Sequence, residues 1–523
     1  MRKIGLKSTI ILGSAILGIF TQDSNAMRLT TSSQDTYIDF NLLTQIWIRH
    51  QDLSDDQNRA NFINTQNKDD IFIRRWRFRV FGSVNPWFKV NFVLRENDTS
   101  RDPYDQPFGG TPLSKQRSNK VEIHELDAIF GLNKLMEMNK TVRFDVHLGY
   151  PRIPFGREQS MRVYDNIDLD RTFSTLRLTQ LSLSDVTGRS TGGYVHVGKT
   201  IEKNIGSFKG LHLDLFLGAF TGYSSTKAPW EETQTSYLST TNDSNAYWSC
   251  TPIGSMFNCT LKPQYKSQLR GNPTNSLLYT IRGTFQIGDM EGRPEIFNWL
   301  YRETYLGKRK GLTIGINYGF QNKISQDRIT DTQGIEDTSS NAKGTLGLGS
   351  SQIRIPYLLL PNPIQNPQLI GNKVDMRSYG IDLGFHYNNV SFNTEYLEVD
   401  FKNVAVDPTN LARKETFKNK GYYFKAGYIF IPENKINLFE PYISYSVYNP
   451  DIKKVGTNYY GDFVVLSSTQ NPGGVGKIKT TGIGFNYYYK DERFRWTLEY
   501  TKNKESNYDI KNDAVTLMFQ FIF

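Results

Sequence analysis

Long apolar runs, histidine and cysteine are all scarce in this sequence. Beyond residue 26 no apolar run reaches the roughly 18 residues that a membrane helix needs, which excludes a helical membrane protein. The six histidines are scattered without metal-ligand spacing, so no metal centre is indicated. No glycine-rich phosphate loop is present. Gly473 to Lys477 ends in the lysine of that motif, but Asn471 stands where its first glycine belongs and no helix pattern follows. The run Asp165-Asn166-Ile167-Asp168-Leu169-Asp170 lacks the glycine and distal glutamate of a calcium loop; it reads as a solvated loop. No motif brings a serine, a histidine and an orienting acid together, and no cofactor is implied.

Hydrophobicity is low as well. Only 38% of residues are hydrophobic and mean hydropathy is −0.50, while 523 residues are too many for one ordinary soluble core. Tyrosine (30) and phenylalanine (33) are nonetheless abundant. That mixture suits strands with one apolar and one polar face better than a set of soluble domains. Net charge is +10, and +8 without Arg2, Lys3, Lys7 and Asp23. So modest an excess on a long chain specifies no partner, nucleic acid included.

Residues 1–26 read as an export signal. Arg2, Lys3 and Lys7 make a basic start, Thr9 to Phe20 is a short apolar run, and Ser24-Asn25-Ala26 puts small residues where a signal peptidase reads. The apolar run is too short to anchor in a bilayer, which takes about 20 residues. The mature chain is therefore expected to be 27–523. In an exported chain Cys250 and Cys259 are expected to close a small loop disulfide. Metal binding is the alternative, but no histidine stands near them.

Apolar and polar residues alternate along the mature chain. Ile38, Phe40, Leu42, Ile46 and Ile48 share a face opposite Asp39, Asn41, Gln45 and Arg49. Leu312, Ile314, Ile316, Tyr318 and Phe320 oppose Thr313, Asn317 and Gln321. Period two is the mark of a strand with one greasy side. About 16 such segments occur, near 37–49, 71–82, 87–95, 121–131, 141–150, 191–199, 210–220, 276–287, 311–321, 377–387, 390–399, 421–430, 438–448, 477–489, 494–501 and 513–523. The last, DAVTLMFQFIF, ends on Phe523 and looks like the C-terminal signature of bacterial outer-membrane proteins. Short connections (83–86, 388–389, 490–493) alternate with long ones (96–120, 151–190, 221–275, 322–376).

The expected fold is all-β: a transmembrane antiparallel barrel with short periplasmic turns and long extracellular loops. A closed sheet pairs every backbone N–H and C=O without a free edge, as lipid requires. A soluble sandwich or solenoid would also alternate, but would not need so many aromatics on its outer side. Two connections, 131–140 and 288–310, are longer than the short-turn rule prefers, and the second contains EIFNWLY, a candidate small helix.

Arg75, Arg77 and Arg79 share one strand face, and Trp76, Phe78 and Val80 the other. Arg74 falls on the apolar side near the strand end, where a long side chain can snorkel. An arginine facing lipid at mid-bilayer costs roughly 2–4 kcal/mol, so the basic face is expected to line the lumen. Cα atoms two residues apart on a strand are about 7 Å from one another, within the Debye length of about 8 Å, so these charges repel. Two readings follow. Glu125 and Asp127, which share a face, would pair with them in a network that stiffens the barrel. Alternatively the arginines form a rail for anions, because guanidinium meets oxyanions in a two-pronged geometry and basic rings select anions. Both can hold at once. Loop 151–190 carries Arg152, Arg157, Arg162, Arg171, Arg177 and Arg189 and no lysine, against Glu158, Asp165, Asp168, Asp170 and Asp185. Arginine without lysine favours planar oxyanion contacts; a loop held by its own salt bridges is the other reading.

Arg74-Arg75-Trp76-Arg77-Phe78 resembles the R-R-x-R-aliphatic/aromatic segment of the phosphate-selective porins of the O and P family. Gly149 to Glu158 (GYPRIPFGRE) resembles that family's G-Q-F-K-x-P-F-x-x-E segment, departing at Tyr150-Pro151 and with Arg152 in place of lysine. GYYFKAGYIF, 421–430, is similar to its late Tyr/Trp-rich strand. The resemblance implies a homotrimeric outer-membrane barrel. Inorganic anions, phosphate above all, would pass along basic residues to a constriction formed partly by inward-folded loops. It carries pore-lining, anion-binding roles to Arg75, Arg77, Arg152 and Arg157; that of Arg79 rests on strand period. The expectation is a passive, anion-preferring porin and not an enzyme, narrowed by loop 151–190, with outer-membrane lipid and small anions as partners. The alternatives are a general diffusion porin whose charges are structural, and a barrel enzyme or surface adhesin.

Overall fold

The computed structural model describes residues 27–523 apart from 31–34, 53–67, 100–120, 163, 184–187, 225–247, 254–255, 262–275, 327–371, 408–409, 411, 434, 457, 462–463, 466–472, 475 and 507–510. The expected signal, 1–26, lies outside the described residues.

Sixteen strands form the wall. They are β1 (Tyr37–Asp52), β2 (Lys68–Asn85), β3 (Phe88–Thr99), β4 (Glu122–Gly131), β5 (Val142–Tyr150), β6 (Gly192–Ile205), β7 (Phe208–Phe220) and β8 (Leu278–Gly288). Then come β9 (Gly311–Ser325), β10 (Lys373–Tyr387), β11 (Val390–Ala405), β12 (Lys414–Tyr428), β13 (Asn437–Asn449), β14 (Ile478–Tyr489), β15 (Phe494–Glu505) and β16 (Lys511–Ile522). Every expected segment falls on one of them. Each pairs antiparallel with its sequence neighbours, and β16 returns to β1 with Leu43 opposite Ile522. Phe523 extends the seam by exchanging backbone hydrogen bonds with Leu42 at 2.9 and 3.0 Å. Past that point a short strand, Met27–Thr30, takes over the same side of β1, with Met27 opposite Phe40.

The wall is inside-out relative to a soluble protein. Ile316 is 63% exposed and Ile483 58%, while Thr313, Asn317, Gln321 and Asn486 are buried. Alternation along each strand thus sends apolar side chains to the outside and polar ones to the lumen, which excludes the soluble sandwich. Aromatic rings from neighbouring strands touch near the short-turn rim, as in Tyr487–Trp496 (5.6 Å), Trp496–Phe519 (5.5 Å) and Phe494–Phe521 (5.3 Å). Such girdles suit the lipid interface.

The short connections are at one end, and two of them are unusual. The β4–β5 link contains one helical turn, Leu132–Leu135. The β8–β9 link, 289–310, enters the lumen: Phe297, Tyr301 and Glu303 are buried. Its only helical element among the described residues is a 3-10 turn, Pro294–Ile296, so the helix expected around EIFNWLY is not formed. From the opposite end loop 151–190 also folds inward. Its helix α1 (Phe173–Leu183) packs on β11, β12 and β13, with Phe173 edge-on to Tyr448 at 5.7 Å. Between β7 and β8 a hairpin of Trp248–Ile253 and Met256–Leu261 sets Cys250 directly opposite Cys259.

Candidate functional site

Two β-bulges decide which polar groups reach the lumen. In β2, Arg75 pairs with Gln45 but Ile73 pairs with Ile46, so Arg74 is an extra residue. A one-residue insertion flips the facing of what lies beyond it. Phe72, Arg74 and Arg75 are all buried inward, and Arg77 and Arg79 follow in step. Arg74 therefore does not snorkel at the rim. In β4 the register slips between Glu125 and Ile123, making His124 the extra residue. His124 and Glu125 both turn inward, whereas Ile123 and Leu126 remain exposed outside.

The inward residues beside these bulges anchor loop 151–190. Arg74 and Arg75 each donate to Asp170 Oδ2 at 2.6 Å. Burial would push that carboxyl up, but Arg75 and Arg74 bring it down to about 2. Glu125 takes Arg152 (3.0 Å) and Arg189, one from each end of the loop, where Arg152 and Arg189 also form a bridge. The wall opposite holds the rest. Arg157 meets Glu291 through two hydrogen bonds, 2.8 and 2.7 Å, and Asn393 at 2.8 Å. Gly384 makes room for it, since a Cβ there would lie 2.1 Å from the guanidinium carbon. Lys425 binds Glu158, Asp168 and Glu303 at 2.5, 2.8 and 2.9 Å. Burial pushes the Asp168 and Glu303 carboxyls up, against the pull of Lys425. The Asp165–Asp170 run is thus a buried, ion-paired strap and not a solvated loop.

The 289–310 connector meets this strap inside the barrel. Tyr301 N–H donates to Ser160 O (3.0 Å) and Glu303 N–H to Asp165 O (3.1 Å), with a parallel bridge between Met161 and Tyr301. Trp299 Nε1 donates to Asp145 Oδ2 at 2.8 Å. Phe297 sits in the left-handed region (φ 52) with its ring seated on Gly131. Burial raises the Glu291 carboxyl, but Arg157 and Arg309 overcome this and hold it well below the usual carboxylate range.

Together the two segments fill one side of the lumen and leave a cavity of ≈ 780 Å³ on the β1–β6 side. Seven arginines line it and four carboxylates, with no lysine. The arginines are Arg77 and Arg79 from β2, Arg152 and Arg162 from the loop, Arg293 from the connector, and Arg28 and Arg493 at the short-turn end. Several are neutralised: Arg28 by Asp39 at 2.6 Å, Arg152 by Glu125, Arg493 by Asp491 at 2.7 Å. Arg77, Arg79 and Arg293 make no ion pair among the described residues; Arg79 Nε donates instead to Asn91 Oδ1 at 2.7 Å. An unpaired guanidinium surrounded by protein costs several kcal/mol unless water or an anion approaches it.

The five arginines singled out in the sequence thus divide. Arg77, Arg79 and Arg152 line the cavity. Arg75 is 2% exposed and occupied by Asp170, and Arg157 has no accessible surface at all, so the structure brings neither to the open space. The partners expected for the β2 arginines are engaged elsewhere: Glu125 by Arg152 and Arg189, and Asp127 by His147 at 2.6 Å. Sequence reasoning missed His124 and the inward path of the connector. Strict alternation points His124 outward, and nothing in 288–310 has a period that signals an inward path.

A family model described as phosphate-selective porin O and P matches residues 368–523. An uncharacterised protein of Aquifex aeolicus (strain VF5) is 42% identical over 228 residues, covering 42% of this chain and 84% of that one. Among solved structures, Salmonella typhi OmpF in complex with daunomycin has a TM-score of 0.41 at 12% identity, covering 95% of this chain and 100% of that one. An anion-selective porin from Comamonas acidovorans has a TM-score of 0.41 at 9% identity, covering 93% and 100%. Residues 368–523 match the phosphate-selective porin O and P family, and the chain is a β-barrel porin of the bacterial outer membrane.

Proposed function

We propose that this porin gives passive passage to small anions, inorganic phosphate and related oxyanions foremost, along the arginines of the β1–β6 cavity. The observation that carries this reading is the charge of the lining: seven arginines against four carboxylates, with Arg77, Arg79 and Arg293 lacking any carboxylate partner among the described residues. A passing oxyanion is the complement such a lining lacks, and guanidinium meets it in a fixed two-pronged geometry. Conduction needs sites that bind weakly and in series, which separated guanidiniums provide. Arg77 and Arg79 are assigned this role, with Arg152 beside them in the lining but held by Glu125; Arg75 and Arg157 are assigned to holding the narrowing loop. The work is diffusion and not catalysis, by a homotrimer as the family resemblance implies.

A general, weakly selective porin is the second reading. It is favoured by the ion pairs that already occupy Arg75, Arg152 and Arg157. Single-channel recording in planar bilayers separates the two. Chloride current reduced by millimolar phosphate supports the anion reading. A large conductance indifferent to phosphate supports the other.

A further inference from the structure

Buried polar atoms in folded proteins almost always find a partner, and an exception calls for a reason. His124 is such an exception. It lines the cavity, is 3% exposed, and neither of its ring nitrogens has a hydrogen-bond partner. It is inward only because β4 bulges at that residue, and a bulge that re-aims one side chain beside a site is a retained feature, not a defect. Among the described residues the neighbouring carboxylates are taken: Glu125 by Arg152 and Arg189, and Asp127 by His147. Across β3, Arg77 lines the same cavity, and it too is without an ion pair among the described residues. Strands two apart are about 10 Å from one another, so an imidazole and a guanidinium that both reach inward can approach one small anion from two sides, beside Arg95 of the intervening strand, which Glu122 occupies.

We propose that His124 and Arg77 form a subsite for tetrahedral oxyanions that carry an acidic hydroxyl, hydrogenphosphate being the simplest, and that it discriminates against those that carry none. The inference rests on the anion-porin reading and adds its selectivity. An imidazole with no carboxylate against it offers one N–H donor and one lone pair. Arg77 offers only donors. A fully deprotonated oxyanion such as sulfate has only acceptors, so it satisfies Arg77 and the imidazole N–H but leaves the imidazole lone pair facing another acceptor. Hydrogenphosphate donates its P–O–H to that lone pair and accepts at its remaining oxygens. All three groups are then satisfied. A site with a buried hydrogen-bonding group penalises the analogue that cannot complete it.

The test is inhibition of chloride current through the full-length porin at neutral pH by phosphate, sulfate and fluorophosphate. Fluorophosphate has the shape and charge of hydrogenphosphate without its hydroxyl. Phosphate is expected to act at about tenfold lower concentration than the other two, the scale of one hydrogen bond left unmade. His124→Leu is expected to bring phosphate to the level of sulfate. His124→Gln, whose amide keeps a donor and an acceptor, is expected to retain the preference. Equal potency of the three anions in the unaltered porin, or an unchanged ratio in His124→Leu, overturns the subsite while leaving an anion porin. If none of the three alters the chloride current, the anion-selective reading above fails instead.

Discussion

Arg157 and Glu291 meet in a two-pronged ion pair with neither side chain accessible. Arg157 comes with the loop that enters from one end of the barrel, and Glu291 with the connector that enters from the other. The pair ties the two inward segments to each other inside the barrel. The guanidinium most like a pore residue by motif is thereby a structural rivet.

Removing one half of a buried pair leaves the other half uncompensated. Arg157→Met is expected to cost about 3–5 kcal/mol, read as a lowered denaturant midpoint of the detergent-solubilised barrel. The double variant Arg157→Met/Glu291→Leu is expected to recover much of the loss, because both charges are then gone. A double variant as unstable as the single one would show that the pair is not the tie.

The connector is keyed to the wall at Gly131. A Cβ there would lie 1.8 Å from Phe297 Cζ, and Phe297 already has a backbone conformation that costs an L-residue of order 1–3 kcal/mol. Gly131→Ala should therefore eject the ring and loosen segment 289–310. The expected result is a larger and noisier single-channel conductance in a barrel that still folds. A conductance identical to that of the unaltered porin would mean that the connector does not border the conducting path.

Acid should release the loop. The Asp170 carboxyl is held down to about 2 by Arg75 and Arg74 despite its burial, below the unfolded value of about 3.9. A group with a depressed folded pKa contributes stability above the unfolded value and loses it as pH falls through the folded one. The anchor is thus expected to hold at pH 5 and to weaken from about pH 4 down to about 2. Asp170→Asn should show the loosened behaviour at all pH values, and conductance recorded against pH compares them. A variant that keeps the acid-induced change in conductance would place its source elsewhere.

The hairpin that sets Cys250 opposite Cys259 suits a disulfide, since directly opposed strand residues have Cα atoms about 4.5–5.5 Å apart. Peptide mapping without reductant, with the chain cut between them after Met256 or Phe257, is expected to recover the two halves still linked. Recovery of free thiols from protein isolated under air would remove the bridge.

The wall was legible in the sequence because lipid outside and water inside impose a period of two on every strand. All sixteen segments could be found from alternation such as Leu312 to Phe320. What alternation cannot show is where it breaks. Arg74 and His124 face the lumen through single inserted residues, and no local pattern distinguishes a bulge from an ordinary step. Loop 151–190 was recognisable as the inward narrowing from its arginine content and family resemblance. Its pairing was not, because Arg75, Glu291 and Lys425 meet it from distant parts of the chain. The connector was least legible of all: Phe297, Trp299 and Tyr301 are buried by contacts with β4–β6 and the loop, which no period of its own announces.

The central claim is that unpaired guanidiniums beside the water path make this porin prefer anions. The most direct test is the zero-current potential across a bilayer under a potassium chloride gradient, for the unaltered porin and for Arg77→Ser/Arg79→Ser. The unaltered channel should sit toward the chloride equilibrium potential and the double variant should move toward that of potassium, with conductance retained. A potential on the potassium side in the unaltered porin, or one unmoved by removing both arginines, would contradict it.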